Sequence, residues 1–321
     1  MHANRDGRLT LQNPFYLNHT QLHLLGIQEV IITPTLLTFA QLQNFYTYTA
    51  LERNWTDYFW SHQDLVVFAL ENQTYPDDQL SAAHAATRGG SGVAVRYSLY
   101  DRAVGTLQYL RQPGTPRWAN HFFAYDHLTL VHRDAIIDVG GWDTHIPFYA
   151  TDCDMYVRLM WAGYWQGETE VGIIMDVATV LDDVGALLRI PGVKAAFAGD
   201  PEPDGPEENR EIEKKGESFE RLVRIAKRME EAKFQDGSNA LRNTWQLRQT
   251  GGQGEPFARD PEGFETGIKM MIDTGRAVFA EKWGHRGCDI AAMGIKAEDA
   301  WRLQRDWDIE TEGLGYEGDD W

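Results

Sequence analysis

Between about residue 29 and residue 185 the chain alternates short β-branched or aromatic runs with segments whose apolar residues recur at helical spacing. This rhythm is the strongest constraint on its architecture, because strands and helices that take turns along a chain pack as a mostly parallel sheet covered by helices. EVIITPT, residues 29–35, predicts a strand. Residues 36–55 lack proline and glycine, and Leu37, Phe39, Leu42, Phe45, Tyr46 and Ala50 make one face of a helix. DYFWSHQDLVVFAL, 57–70, reads as a strand broken by the polar tetrad Ser61, His62, Gln63 and Asp64. QLSAAHAAT predicts a short helix, GVAVRYSLYD (92–101) a strand, RQPGTPRW a loop and HFFAYDHLTLVHR (121–133) one further strand. DAIIDVGGWD leads through a short helix into a glycine turn, 152–163 is helical, and VGIIMDVATVL (171–181) is a strand.

Beyond residue 185 the character changes. Residues 200–220 hold nine acids against three bases, with three prolines near the start, the composition of an exposed linker running into a helix. That helix, 217–235, carries Phe219, Leu222, Val223, Ile225, Ala226 and Met229 as an apolar stripe. More helix is expected around 266–279 and 297–305, and the last sixteen residues, with seven acids and no base, read as a solvated tail. The expected organisation is an α/β domain over 1–190, a mixed sheet flanked by helices, and a mainly helical extension over 191–321.

Charge and cysteine content narrow the partners. Thirty basic against 48 acidic side chains leave a net charge of -18, which repels a phosphate backbone and argues against nucleic acid. No run approaches the ~18 apolar residues of a membrane span, and MHANRDGRLT lacks the apolar core of a signal peptide. As written the chain reads as cytoplasmic; the Golgi lumen fits if an amino-terminal anchor precedes it. Cys153 and Cys288 leave a single bridge or two free thiols open, and KWGHRGCD, with His285 and Cys288, reads as a structured turn with a free thiol rather than a zinc site. Three N-x-T sequons stand at Asn18, Asn54 and Asn72, where chance supplies roughly one or two in this length.

Two clusters carry residues suited to chemistry. The Ser61 to Asp64 tetrad closes a buried strand, where open α/β sheets bind ligands, although one His and one Asp also suit an ordinary strand end. GGWDTHIPFYATDCDMYVRLMWAGYW, 140–165, sets a double-glycine turn before a helix opened by Asp152, Asp154 and Arg158. Asp152 there is either an N-terminal cap or a general base. GGSG, 89–92, lacks the GK(S/T) of a phosphate loop and reads as a flexible turn.

Together these stretches resemble glycosyltransferases of the GT-A fold, most closely the inverting family 2 type. WSHQDLVV lies over that family's FLDADDVV without a gap, with Asp64 on the second, metal-binding Asp and His62 in place of the first. GGWD followed by TDCDMYVRL lies over the GG(F/W)D turn and the ED-x-D-x-x-x-R helix start, with Thr151 replacing Glu and Asp152, Asp154 and Arg158 matching. FAEKWG, 279–284, is similar to the F-x-x-KWG near the end of many members, and the first nucleotide-binding strand is not evident before Asn13.

The resemblance implies a Rossmann-like GT-A domain that moves a sugar from a UDP- or GDP-linked donor to a hydroxyl of a glycan or other acceptor, with Mn2+ or Mg2+ on the diphosphate. It assigns donor contacts to His62 and Asp64, the metal to Asp64, and the catalytic base to Asp152. Asp143 and Asp154 join the substrate site, with Trp142 and Tyr149 flanking the base as stacking platforms for a sugar. A third metal ligand is sought among Asp176, Asp182, Asp183 and His285, with His285 reaching back from the carboxyl-terminal part. A catalytically silent GT-A-like scaffold that binds nucleotide or glycan would also accommodate His62, and a nucleotidyltransferase would share the fold class.

Overall fold

The computed structural model describes residues 37–62, 65–69, 98–176, 217–234 and 261–306. The expected strand at 29–35, the helix in QLSAAHAAT, GGSG, the acidic linker and the tail beyond Asp306 lie outside them. The chain divides into two compact units that interleave along the sequence. Among the described residues one unit holds 57–62, 65–69, 98–131, 166–176, 217–234 and 261–266, the other 37–56, 132–165 and 267–306, so both draw on segments from either side of residue 190.

The first unit carries the strands. β1 (Asp57–Ser61), β3 (Trp118–Phe122), β4 (Leu128–His132) and β5 (Trp165–Glu168) form a sheet in the order β1-β4-β3-β5, while β2 (Leu65–Phe68) and β6 (Ile173–Asp176) pair separately. The first sheet is mixed, as the expected fold class has it, although the alternation along the chain alone suggests mostly parallel strands. β3 and β4 are antiparallel, with Asn120 opposite Val131 and Phe122 opposite Thr129. The expected single strand over 121–133 is thus two strands: Tyr125 takes a φ of 44°, the His127 N–H bonds Ala124 O, and the Phe123 N–H bonds Leu128 O to close a tight turn. So short a connection can only reverse the chain, since a parallel return needs a crossover. The His62 N–H bonds His127 O and the Arg133 N–H bonds Thr56 O, which sets β1 antiparallel to β4. Along β3 and β5 the partners rise together, Asn120 to Gln166 and Phe122 to Thr169, the mark of a parallel pair.

Helix α1 (Phe39–Glu52) is described with the second unit below, and α2 (Leu99–Leu110) follows Ser98 in the first. The expected strand over 92–101 is corrected here at its end: the Ser98 hydroxyl accepts the Asp101 N–H and the Asp101 carboxylate accepts the Ser98 N–H. This reciprocal cap starts a helix that the β-branched and aromatic neighbours had masked. Ala103 and Leu110 of α2 pack with Trp118, Phe123, Leu130 and Val171 in one core. Gly172 is required where β6 begins, because a Cβ there would stand 2.5 Å from Phe68 O and 2.7 Å from Leu99 Cδ1. The amphipathic segment at 217–235 is helix Glu217–Phe234 (α5), whose Phe219 meets Phe68 of β2 edge-on at 5.8 Å.

The second unit is helical. α1 opens on a Thr38/Gln41 capping box and packs on the short α3 (Arg133–Asp138). α4 (Thr151–Trp161) and the long α6 (Pro261–Trp283), which outruns its expected bounds, supply Val157, Phe279 and Trp283 to a core completed by Ile146, Ala150 and Ile290. Past α6 only a short 3-10 turn, Ala297–Asp299, stands where more helix was expected. Cys153 and Cys288 are joined by a disulfide with Cα atoms 5.3 Å apart, ordinary spacing for such a bridge, so Cys288 is not the free thiol expected from its surroundings.

Candidate active site at the start of helix α4

The glycine turn comes first. α3 ends with the Gly140 N–H on Ile137 O and the Gly141 N–H on Ile136 O, and both glycines adopt positive φ, 84° and 79°. This is the left-handed helix stop that glycine enters without a Cβ penalty. Asn44, from α1, then grips the next residue from both sides: its Nδ2 donates to Trp142 O at 2.9 Å, and its Oδ1 accepts the Trp142 N–H at 2.8 Å. A Cβ on Gly141 would stand 2.9 Å from that Oδ1, so this glycine is also needed for the approach of Asn44. Asn44 is the functional-site neighbour that the sequence did not reveal.

Trp142 is placed by these bonds inside the unit. Its ring is 5% exposed, with Phe39 and Tyr156 edge-on at 5.5 and 6.0 Å. In this conformation it supports the turn and offers no open face to a sugar. Tyr149, half-buried, lies under the Arg276 guanidinium at 5.1 Å from the ring centroid.

Ala150 carries the chain into α4 in the left-handed conformation, φ 67° and ψ -3°, unusual for a residue with a Cβ and a form of backbone strain that tends to collect at functional positions. No side chain caps the helix at Ala150, which leaves the capping reading of Asp152 without support: Asp152 is the second residue of the helix, not its cap. Thr151, standing where the family pattern has Glu, is 1% exposed, and its hydroxyl has no hydrogen-bond partner.

The two carboxylates that follow diverge. Asp154 is fully buried, and both of its oxygens are occupied. Oδ2 accepts Arg158 Nε at 2.8 Å; Oδ1 accepts Trp283 Nε1 at 3.1 Å and lies 2.7 Å from Lys282 Nζ. Arg158 spends its other nitrogens on Val139 O and Gly141 O, which ties α4 to the glycine turn. Asp152, half-buried, projects from another side of the helix, as residues two apart must, turned by about 200°.

Lys282 joins the turn to the helix, since its Nζ also donates to Asp143 Oδ2 at 2.8 Å. Burial alone would raise the Asp143 carboxyl, but the hydrogen bonds from Lys282 and from the His145 ring and backbone outweigh it and hold it at about 2. Asp143 and Asp154, both expected at a substrate site, are thus brought together on one ammonium, and Asp152 shares helix α4 with Asp154.

His285 is committed elsewhere. Its Nε2 meets Asp289 at 2.7 Å and its Nδ1 meets Asp306. Burial alone would lower its pKa, but the two carboxylates raise it. A ring held by carboxylates at both nitrogens has no lone pair to give a metal. His62 belongs to the strand-bearing unit, where its backbone N–H bonds His127 O and its ring lies 5.7 Å from Trp60 and 5.4 Å from the His127 ring. Asp64, Asp182 and Asp183 lie outside the described residues, and Asp176 ends β6 opposite Leu65. No group of three or more His, Cys, Asp or Glu able to hold a metal ion occurs among the described residues.

No described helix is long and apolar enough to cross a membrane. No protein-family model, curated protein or solved structure matches the chain.

Proposed function

We propose that the protein is an inverting glycosyltransferase in which Asp152 is the general base. The observation that carries this reading is the contrast at the start of α4: Asp154 is fully buried and saturated by Arg158, Trp283 and Lys282, whereas Asp152, two residues earlier, is partly exposed beside a strained Ala150. An acceptor hydroxyl gains nucleophilicity when a carboxylate within hydrogen-bond reach takes its proton as it attacks. Asp152 accepts that proton, the acceptor oxygen bonds to the anomeric carbon, and the nucleoside diphosphate leaves from the opposite face of the sugar, which inverts the centre. The rigid Asp143–Lys282–Asp154–Arg158 array keeps α4 and the glycine turn in register so that the base stays in place.

A UDP- or GDP-linked donor, a hydroxyl acceptor and a divalent ion at Asp64 belong to this proposal through the sequence resemblance. His285, with both ring nitrogens engaged, does not fit as a further ligand, and the steps given to the chain's own residues do not run through a metal. The test is release of nucleoside diphosphate from a panel of UDP- and GDP-sugars with manganese, with and without glycan acceptors. Acceptor-dependent release with inverted product supports the proposal. Nucleotide or glycan binding without release in any combination would replace it with a silent binding scaffold.

A further inference from the structure

We infer that Asn54 is an N-glycosylation site and that the chain folds in an oxidising, lumenal or extracellular compartment. The inference starts from the end of α1. There the Asn54 N–H bonds Leu51 O at 3.1 Å and the Trp55 N–H bonds Ala50 O at 2.8 Å, with Asn54 at a φ of 55°. These two bonds are a Schellman stop, with Asn54 at the left-handed position that asparagine tolerates better than most residues. The stop accounts for an Asn at 54. It makes no demand on position 56, where Thr completes the Asn-Trp-Thr sequon.

The stop also presents the sequon to an enzyme. Asn54, Trp55 and Thr56 are all exposed, Trp55 by 52%. Their backbone is anchored from below: Arg133 donates its Nη1 to Trp55 O at 2.8 Å and its N–H to Thr56 O at 2.9 Å. Asn18 and Asn72 lie outside the described residues, which makes Asn54 the described sequon.

A second observation, independent of the sequon, points to the same compartment. Cys153 and Cys288, the protein's two cysteines, are joined to each other. Disulfides persist in oxidising compartments and are rare in the cytosol. The cytoplasmic expectation rested on the absence of an apolar leader; the bridge favours the lumenal alternative, where sequons are used.

In the reaction, the Asn54 side-chain nitrogen attacks the anomeric carbon of an oligosaccharide carried on a polyprenyl diphosphate. A C–N bond forms and the C–O bond to the diphosphate breaks. The amide gives up one proton to a base of the transferring enzyme, and the polyprenyl diphosphate leaves.

The experiment uses full-length chain purified from the cells that make it. It is mapped by peptide mass spectrometry before and after amidase removal of N-glycans, and under non-reducing conditions for the Cys153–Cys288 link. The expected result is a peptide in which the amidase converts Asn54 to Asp, together with the intact disulfide-linked pair. Recovery of the Asn54 peptide chiefly unmodified, or of Cys153 and Cys288 as thiols, would overturn the inference. Thr56→Ser and Thr56→Ala, produced in a secretory host, serve as a second readout on the folded protein. The first should keep the glycan and the second lose it; equal gel mobility of Thr56→Ala and the parent, with and without amidase, would also overturn it.

Discussion

Lys282 and Asp154 form an ion pair at 2.7 Å between side chains that are 9% and 0% exposed. Lys282 reaches Asp143 from the same ammonium, so removing it takes one cation from both carboxylates and leaves Asp154 to Arg158 and Trp283 and Asp143 to His145. A buried charge left without its partner costs far more than the intact pair contributes. Lys282→Met should lower unfolding free energy by about 3–5 kcal/mol in urea titrations. A loss below about 1 kcal/mol, the scale of surface pairs, would mean that solvent reaches the site.

Asp152→Asn should leave melting temperature and nucleotide affinity near the parent values while transfer falls by about 10²- to 10⁴-fold, the usual cost of a lost general base. Asp154→Asn should do the reverse in kind, destabilising the fold because an amide cannot satisfy Arg158, Lys282 and Trp283 together. Measuring all three quantities on both variants separates the roles. Near-normal transfer in Asp152→Asn would assign the base elsewhere.

Asp64→Asn should keep the fold and lose manganese-dependent nucleotide binding, an expectation that stands on the sequence pattern around WSHQDLVV. Calorimetry with nucleoside diphosphate, with and without manganese, is the measurement. Unchanged affinity and unchanged metal dependence would remove Asp64 from the donor site.

Asn44→Ala strips the Trp142 backbone of both its partners, and each unmet buried group costs about 1–3 kcal/mol. Transfer should fall along with stability, because the turn carries Asp143. Gly141→Ala should be comparably damaging by a different route, with a Cβ forced 2.9 Å from Asn44 Oδ1 at a φ of 79°. Thermal melts of the two single variants and the double variant test the link: non-additive losses are expected for groups in contact.

Stability should fall in mild acid. Burial lowers the pKa of His121 from 6.5 to about 4, so between those values the unfolded chain binds a proton that the folded chain does not. Its contribution is complete above pH 6.5 and is lost as pH falls toward 4. Asp143, held at about 2 against an ordinary 3.8, adds its loss below pH 3.8. His285, raised by Asp306 and Asp289, acts oppositely, contributing below its ordinary pKa and losing that contribution as pH rises past its raised one. Urea titrations across pH should show His121→Gln flattening the slope between 6.5 and 4 by up to about 1.4 kcal/mol per pH unit.

What was legible in the sequence was what local periodicity encodes. The split between Asp152 and Asp154 follows from their spacing on a helix, and the glycine stop and the α5 stripe follow from residue type. The helix over 99–110 was hidden because Val, Tyr and Leu also suit a strand, and the Ser98/Asp101 cap decided the contest. The reversal at 123–127 was hidden for a like reason, since aromatic and apolar residues continue across it. Asn44 could not be found by pattern: its partner is 98 residues away, and an Asn on a helix looks like any solvated position. Lys282 and Trp283 were visible as part of FAEKWG, but that both reach Asp154 is a fact of tertiary packing.

Cys153 and Cys288 are 135 positions apart along the chain and one covalent link apart in space. For the side chains clustered around Val157 and Ile290, the loop that must close runs through the bridge and not through the long stretch between α4 and α6. Loop-closure entropy grows with that path, and folding rates follow it. Once the bridge has formed, Val157 and Ile290 lie only a few positions apart along the covalent path, so closing their cluster forfeits far less chain entropy.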